Sequence, residues 1–199
     1  MKTEVTELCT ETVCSDDGFK RYLLRKTWDG SLPKLVVIML CAGSAGMVEL
    51  DTSSQLVLNN AVRLGYGSVA IVNLFATLND FALKRSLSED VENLDVIIQE
   101  AASAEKIVFA PGTGKAKNKL FVEVQEQTLL ALRPYEDKLC CLCDEKGGSR
   151  LQHPLSPRVR VWHLSPLAIS ELIELPAAIE PETKKKPKGK AAQKEKTNE

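Results

Sequence analysis

The chain has 199 residues, 44% of them hydrophobic and 27% charged, with aromatics at only 5%; that is enough for one domain with a sizeable core built on Leu, Val, Ile and Ala. Its formal net charge is −1, but residues 180–199 hold seven Lys against four Glu, a net of +3 that leaves residues 1–179 at −4. Bulk charge therefore excludes a broadly basic nucleic-acid face on the folded part, so any such contact would need a local patch, a pocket or the tail.

Residues 1–18 are polar and acidic with no strong period, and read as an N-terminal extension. They lack a basic segment leading into an apolar one, and the longest apolar stretch, Leu35 to Ala42, is too short to cross a bilayer. A cytoplasmic protein is the expectation. Phe19 to Trp28 alternates apolar and basic residues and predicts a first strand at a sheet edge. Leu35 to Leu40 is a buried strand without polar alternation, running into the small-residue loop Cys41-Ala42-Gly43-Ser44-Ala45-Gly46. Asp51 or Thr52 can cap a helix reaching about Leu64.

Ser68 to Phe75 predicts a second buried strand, followed by a polar loop to about Asp90 and a helix from Val91 to Ala104. Lys106 to Ala110 is a third strand, closed by Pro111-Gly112-Thr113-Gly114, with a helix expected from Lys115 to Leu132. Lys138 to Cys143 is a fourth strand, and a glycine turn then leads to Gln152-His153-Pro154-Leu155-Ser156-Pro157. Past Pro176 the composition collapses to Pro, Lys, Glu and Ala, so residues 177–199 are expected to form a disordered, lysine-rich tail.

Short apolar strands alternating with helices predict an α/β domain over residues 19–176, a three-layer αβα sandwich around a mostly parallel four-stranded sheet. Ligands of such sheets bind outside the carboxyl ends of the strands. The segments to inspect are therefore 41–46, 73–80, 111–115 and 152–158.

Six cysteines are present. Without a secretory signal a disulfide framework is not expected. Cys140 and Cys143 have C-x-x-C spacing, but the second pair a zinc site needs would have to be His153 and His163, spaced wider than a usual zinc pair. The favoured reading takes these cysteines as small strand hydrophobes; neither metal nor cofactor is expected.

Several residues at the predicted ligand edge carry usable chemistry. Asn73 ends an apolar strand and offers a donor and an acceptor, suited to the edge of a nucleobase, unless it is a core amide satisfied by backbone. Thr77 follows in the same segment. His153 precedes Pro154, which forces extended backbone, and its ring can meet a phosphate or a leaving base. Asp51 can act as a general base or as a helix cap, and the cap is favoured. Ser44 can donate a hydrogen bond but has no evident activating base. Gly112-Thr113-Gly114-Lys115 departs from a P-loop at Phe109 and Ala116, yet a backbone nest at a helix start, with Lys115 beside it, can hold a phosphate. Ser156 closes the His-Pro motif, and Arg158 and Arg160 beyond it could meet a phosphate backbone, with a solvated edge strand the plainer account.

Taken in order, Arg21-Tyr22-Leu23-Leu24-Arg25 with Trp28, Gly65-Tyr66-Gly67 with Asn73-Leu74-Phe75-Ala76-Thr77, and His153-Pro154-Leu155 resemble a family of uncharacterised bacterial and phage proteins catalogued as a domain of unknown function. The resemblance covers about residues 19–165. That motif order is in turn similar to the uracil-DNA glycosylase superfamily. This second likeness implies a water-activating loop at 41–46, a base-reading role for Asn73 and a DNA-facing loop at His153-Pro154-Leu155-Ser156. Where the family's first loop usually reads Asn-Pro-Ser-Thr, this chain has Cys41-Ala42-Gly43-Ser44, and the third strand ends in Ala110-Pro111-Gly112 in place of Ala-Trp-Gly.

These departures favour a module that recognises a nucleobase, nucleotide or nucleic acid in a glycosylase-like pocket without robust catalysis. The alternatives are a glycosylase-like hydrolase, with Asp51 or Ser44 orienting water and His153 aiding departure of the base, and a protein-interaction scaffold.

Overall fold

The computed structural model describes residues 1–79, 91–144 and 151–173. The expected lysine-rich tail lies outside them. In chain order the regular elements are β1 (Cys9–Cys14), β2 (Arg21–Thr27), β3 (Lys34–Cys41), α1 (Thr52–Arg63), β4 (Ser68–Phe75), α2 (Val91–Ala102), β5 (Lys106–Phe109), α3 (Lys119–Ala131), β6 (Leu139–Cys143) and β7 (His163–Pro166).

All seven strands join one sheet in the order β1-β2-β4-β3-β5-β6-β7. β4, β3, β5 and β6 run parallel to their neighbours in this group. β1 on β2, β2 on β4, and β7 on β6 are antiparallel. The expectation of a mostly parallel four-stranded sheet in a three-layer, glycosylase-like sandwich is thus overturned: the sheet is mixed and has seven strands. The reason lies at the two edges. β1 carries Cys, Thr, Glu, Thr, Val and Cys, and is largely exposed. β7 is only four residues, exposed at both ends. Such strands are held by backbone pairing and leave little hydrophobic pattern in a sequence.

β2 also departs from expectation, because it lies inside the sheet rather than at its edge. Its basic residues are covered instead of solvated. Lys26 Nζ donates to Thr10 Oγ1 at 3.0 Å and to the Met47 carbonyl at 2.8 Å. Arg25 pairs with Glu11 on β1 and with Glu100 on α2, and Glu100 also receives Lys34 Nζ at 2.9 Å. Residues 9–14 of the expected N-terminal extension therefore belong to the sheet.

Strand alternation divides the core in two. Val36 and Ile38 of β3 face one cluster, which includes Ile97 of α2 and Phe121 and Leu129 of α3. Leu35, Val37 and Met39 face the other, with Val57 and Ala61 of α1 and the fully buried Trp162. Trp162 is fixed by two residues of α1: buried Asn60 accepts its backbone N–H at 2.9 Å and donates to the Arg160 carbonyl at 3.0 Å, and Arg63 Nη2 donates to the Trp162 carbonyl. The chain beyond the His-Pro pair is thereby tied to α1.

β3 lies between β4 and β5. The chain leaves β3 through α1 toward β4, then returns through α2 to β5 on the other side. The carboxyl ends of β3 and β5 thus diverge at a topological switch point, where a crevice forms in sheets of this kind.

Candidate functional site

A cavity of about 610 Å³ opens at this switch point. Its apolar floor includes Met39, Leu40 and Cys41 from the end of β3, with Pro111 after β5. Its polar groups come from three loops: Asp51 and Ser53 ahead of and in α1, Thr113 and Lys115 after β5, and Gln152, His153 and Ser156 after β6. No single loop could assemble this set; the parallel strand order brings them to one edge.

Two glycines let the loops close on each other. A Cβ on Gly43 would stand 2.5 Å from Asp51 Oδ2, so a larger residue there would push the carboxylate aside. Gly112 has φ +80°, and a Cβ there would meet His153 Cβ at 3.1 Å. The loop after β5 therefore packs directly against the His-Pro loop.

Asp51 is the N-cap of α1. Its Oδ1 accepts the Ser54 N–H at 2.7 Å, and its backbone is extended, as a cap requires. The cap and the cavity position coexist, because the other carboxylate oxygen is not used by the helix.

His153 is set by its own turn. Ser156 N–H donates to the His153 carbonyl at 2.8 Å, and Leu155 N–H donates to the ring Nδ1 at 3.2 Å. A neutral imidazole that accepts at Nδ1 carries its proton on Nε2. Burial pushes the His153 ring below its ordinary pKa of 6.5, with the negative charge of Asp51 acting in the opposite direction. His153 thus offers the crevice a neutral N–H donor.

The Gly112–Lys115 segment differs from the expected nest at a helix start. α3 begins at Lys119, and Asn118 caps it by accepting the Phe121 N–H at 3.1 Å. That bond already occupies one of the helix's free N–H groups. Lys115 reaches the cavity from a turn ahead of the helix, so its contribution is its ammonium charge, separate from any helix dipole.

Of the residues singled out from sequence, Asp51, Gly112, Lys115, His153 and Ser156 line this one cavity. Ser44 lines a neighbouring cavity of about 430 Å³. Asn73 is only 1% exposed and lines neither, although it is in register with Met39 of the crevice floor. Its amide oxygen and nitrogen are both buried without a partner, so the satisfied core amide foreseen as its alternative role is not what forms. Thr77 bridges to Lys20 and also lines neither cavity. Arg158 is exposed on the turn Pro157–Val159, outside both linings.

Sequence reasoning missed Arg21, read only as part of a strand motif. It lies at the amino end of β2 and is 4% exposed, within the electrostatic influence of Asp51. An arginine at a buried strand position was the available signal. The cysteines of β6 are all buried, and burial pushes the thiols of Cys140, Cys141 and Cys143 above their ordinary range, toward the protonated form. Among the described residues, no helix is long and apolar enough to cross a membrane.

Together the sheet order and the crevice define a mixed α/β protein with a polar-rimmed site at a strand switch point. The model of a family described as "Protein of unknown function (DUF1643)" matches residues 21–155, and the chain belongs to this family. Nothing in that match links it to the uracil-DNA glycosylases. No curated protein matches the chain.

Proposed function

We propose that the switch-point crevice binds a nucleobase-containing ligand, a nucleotide or part of a nucleic acid, and that binding rather than turnover is its function. The convergence of three loops carries this reading. It sets a neutral His153 N–H, the Asp51 carboxylate and the Lys115 ammonium around an apolar floor. A base presents donors and acceptors around a flat apolar body, and a phosphate presents negative charge; the crevice offers a counterpart to each. The first loop, Cys41-Ala42-Gly43-Ser44 in place of the family's usual Asn-Pro-Ser-Thr, supports binding without robust catalysis. The free thiols are in keeping with a reducing compartment, for which we propose the cytoplasm.

One observation favours a second reading. Asp51 and His153 line the same cavity, so a water held by Asp51 could attack an N-glycosidic bond while His153 steadies the departing base. Both readings are tested by incubating the protein with DNA, RNA and a panel of nucleotides bearing normal and modified bases, then analysing bound and free fractions by mass spectrometry. Intact bound nucleotide without release is the expected result. Release of free base, lost in His153→Ala, would replace binding with hydrolysis. Neither retention nor release would defeat both.

A further inference from the structure

Arg21 is the residue that the crevice leaves unexplained. Its guanidinium has five N–H groups, of which one nitrogen, Nη1, donates to the Ala45 carbonyl. Nε is fully buried and has no partner. Arg21 forms no ion pair among the described residues. Burial draws its pKa down and Asp51 opposes this from a distance, but arginine keeps its charge in proteins. A buried cation with an unpartnered N–H and no ion pair is costly unless an anion completes it.

The space next to it is suited to one. The 430 Å³ cavity is lined by Arg21 together with Thr12, Ser44 and Asn79, the small-residue loop Gly43–Gly46, and the apolar Met47 and Leu78. No Asp or Glu is among its described lining residues. Gly43 lines both this cavity and the crevice, so the two spaces adjoin at one residue, with the Asp51 carboxylate close by on the crevice side.

We infer that this second cavity is a phosphate subsite keyed by Arg21, and that it takes the phosphate of the ligand whose remaining part occupies the crevice. The inference rests on the binding reading above and narrows it to phosphorylated ligands that span Gly43. The planar guanidinium suits a phosphate because two parallel N–H groups can meet two of its oxygens. The larger crevice, with Met39, Leu40 and Pro111 in its lining, has the room and the apolar surface that suit the base.

The test uses the full chain and the Nε–H resonance of Arg21 in proton–nitrogen correlation spectra, identified by its loss in Arg21→Lys. Inorganic phosphate, the four common nucleosides and their 5′-monophosphates are titrated in turn. Phosphate is expected to move the Arg21 resonance. At least one monophosphate should bind about tenfold or more tightly than either phosphate or its nucleoside, because the linked groups act at high effective concentration. Since Arg21 is buried and its replacement can unfold the chain, the deciding variant is Ser44→Glu at an exposed lining position. Its added carboxylate should weaken phosphate binding about tenfold or more by like-charge repulsion.

An Arg21 resonance unmoved by phosphate and by every monophosphate overturns the subsite. A response that survives Ser44→Glu and disappears in Lys115→Ala also overturns it, by moving the anion to the crevice. Nucleoside binding that is lost in His153→Ala while Arg21 stays silent leaves the crevice reading standing and removes only the subsite. A phosphate response at Arg21 with no nucleoside or monophosphate at the crevice refutes the spanning ligand and the crevice reading together.

Discussion

Replacing Asn60 with Ala tests how the site is anchored. The side chain is buried in α1 and makes two bonds to the segment after the His-Pro loop, accepting from Trp162 N–H and donating to the Arg160 carbonyl. Its third bond, to the Leu56 carbonyl, is a helix back-bond of small consequence. Loss of Asn60 leaves the Trp162 N–H without an acceptor beside a fully buried ring, at about 1–3 kcal/mol. The Arg160 carbonyl belongs to an exposed residue and can take water, so its lost bond adds only about 0.5–1 kcal/mol. Ala returns roughly 0.5 kcal/mol through better helix propensity. The net cost is about 1–3.5 kcal/mol, or a fall of about 2–14 °C in Tm for a chain of this size. Urea and thermal melts measure it, with Asn59→Ala as control, since exposed Asn59 makes the same propensity change without these bonds. An Asn60→Ala protein as stable as the Asn59→Ala control would refute the anchoring, and with it the account of how the His-Pro loop is held to α1.

Other consequences follow from the same geometry. Asp51→Ala should cost about 1 kcal/mol through the lost Ser54 cap, whereas Asp51→Asn should cost only a few tenths, because Asn caps as well as Asp; equal losses in chemical melts would mean that the cap is not what Asp51 contributes to stability. His153 is depressed in the folded chain, so its contribution to stability is complete above its ordinary 6.5 and declines as pH falls from there toward the folded value. His153→Gln should flatten that part of the stability–pH curve, and Asp51→Asn should lower the His153 midpoint further in an NMR titration. Gly67→Ala places a Cβ 1.9 Å from the Asp29 carbonyl oxygen, which belongs to backbone and cannot rotate away. A loss of about 1–3 kcal/mol is expected, and a neutral result in the same melts would show that the turn can shift freely.

The elements that read clearly from sequence are those whose side chains meet the core. β4 was delimited at both ends by eight consecutive buried residues, and α1 by its Asp51 cap and the glycine that follows. α3 was read four residues too long at its start, since nothing in Lys115 to Asn118 betrays the turn that Asn118 closes by capping. β1 and β7 went unseen because backbone pairing with a neighbouring strand requires no apolar code. Site residues divided along similar lines. Asp51, Lys115 and His153 were found because strand-end loops at the carboxyl edge converge by topology. Ser44 was separated from them by the turn of its small-residue loop, and Arg21 was overlooked because it enters from an antiparallel strand.

The placement of the two unseen strands bears on how the protein remains a discrete particle. The family match begins at the first residue of β2 and ends before β7, so both border strands lie outside it. Without them, β2 with its Tyr22-Leu23-Leu24 and β6 with its Leu139–Cys143 run would present unpaired backbone on apolar strands, a template for adding foreign strands. β1 ends the sheet with Thr and Glu side chains, and β7 ends it with four residues closing on Pro166, which has no N–H to offer. They act as selvedges: trimming residues 1–14 would expose the open flank of β2, and light scattering is expected to show more self-association in the trimmed chain than in the full one.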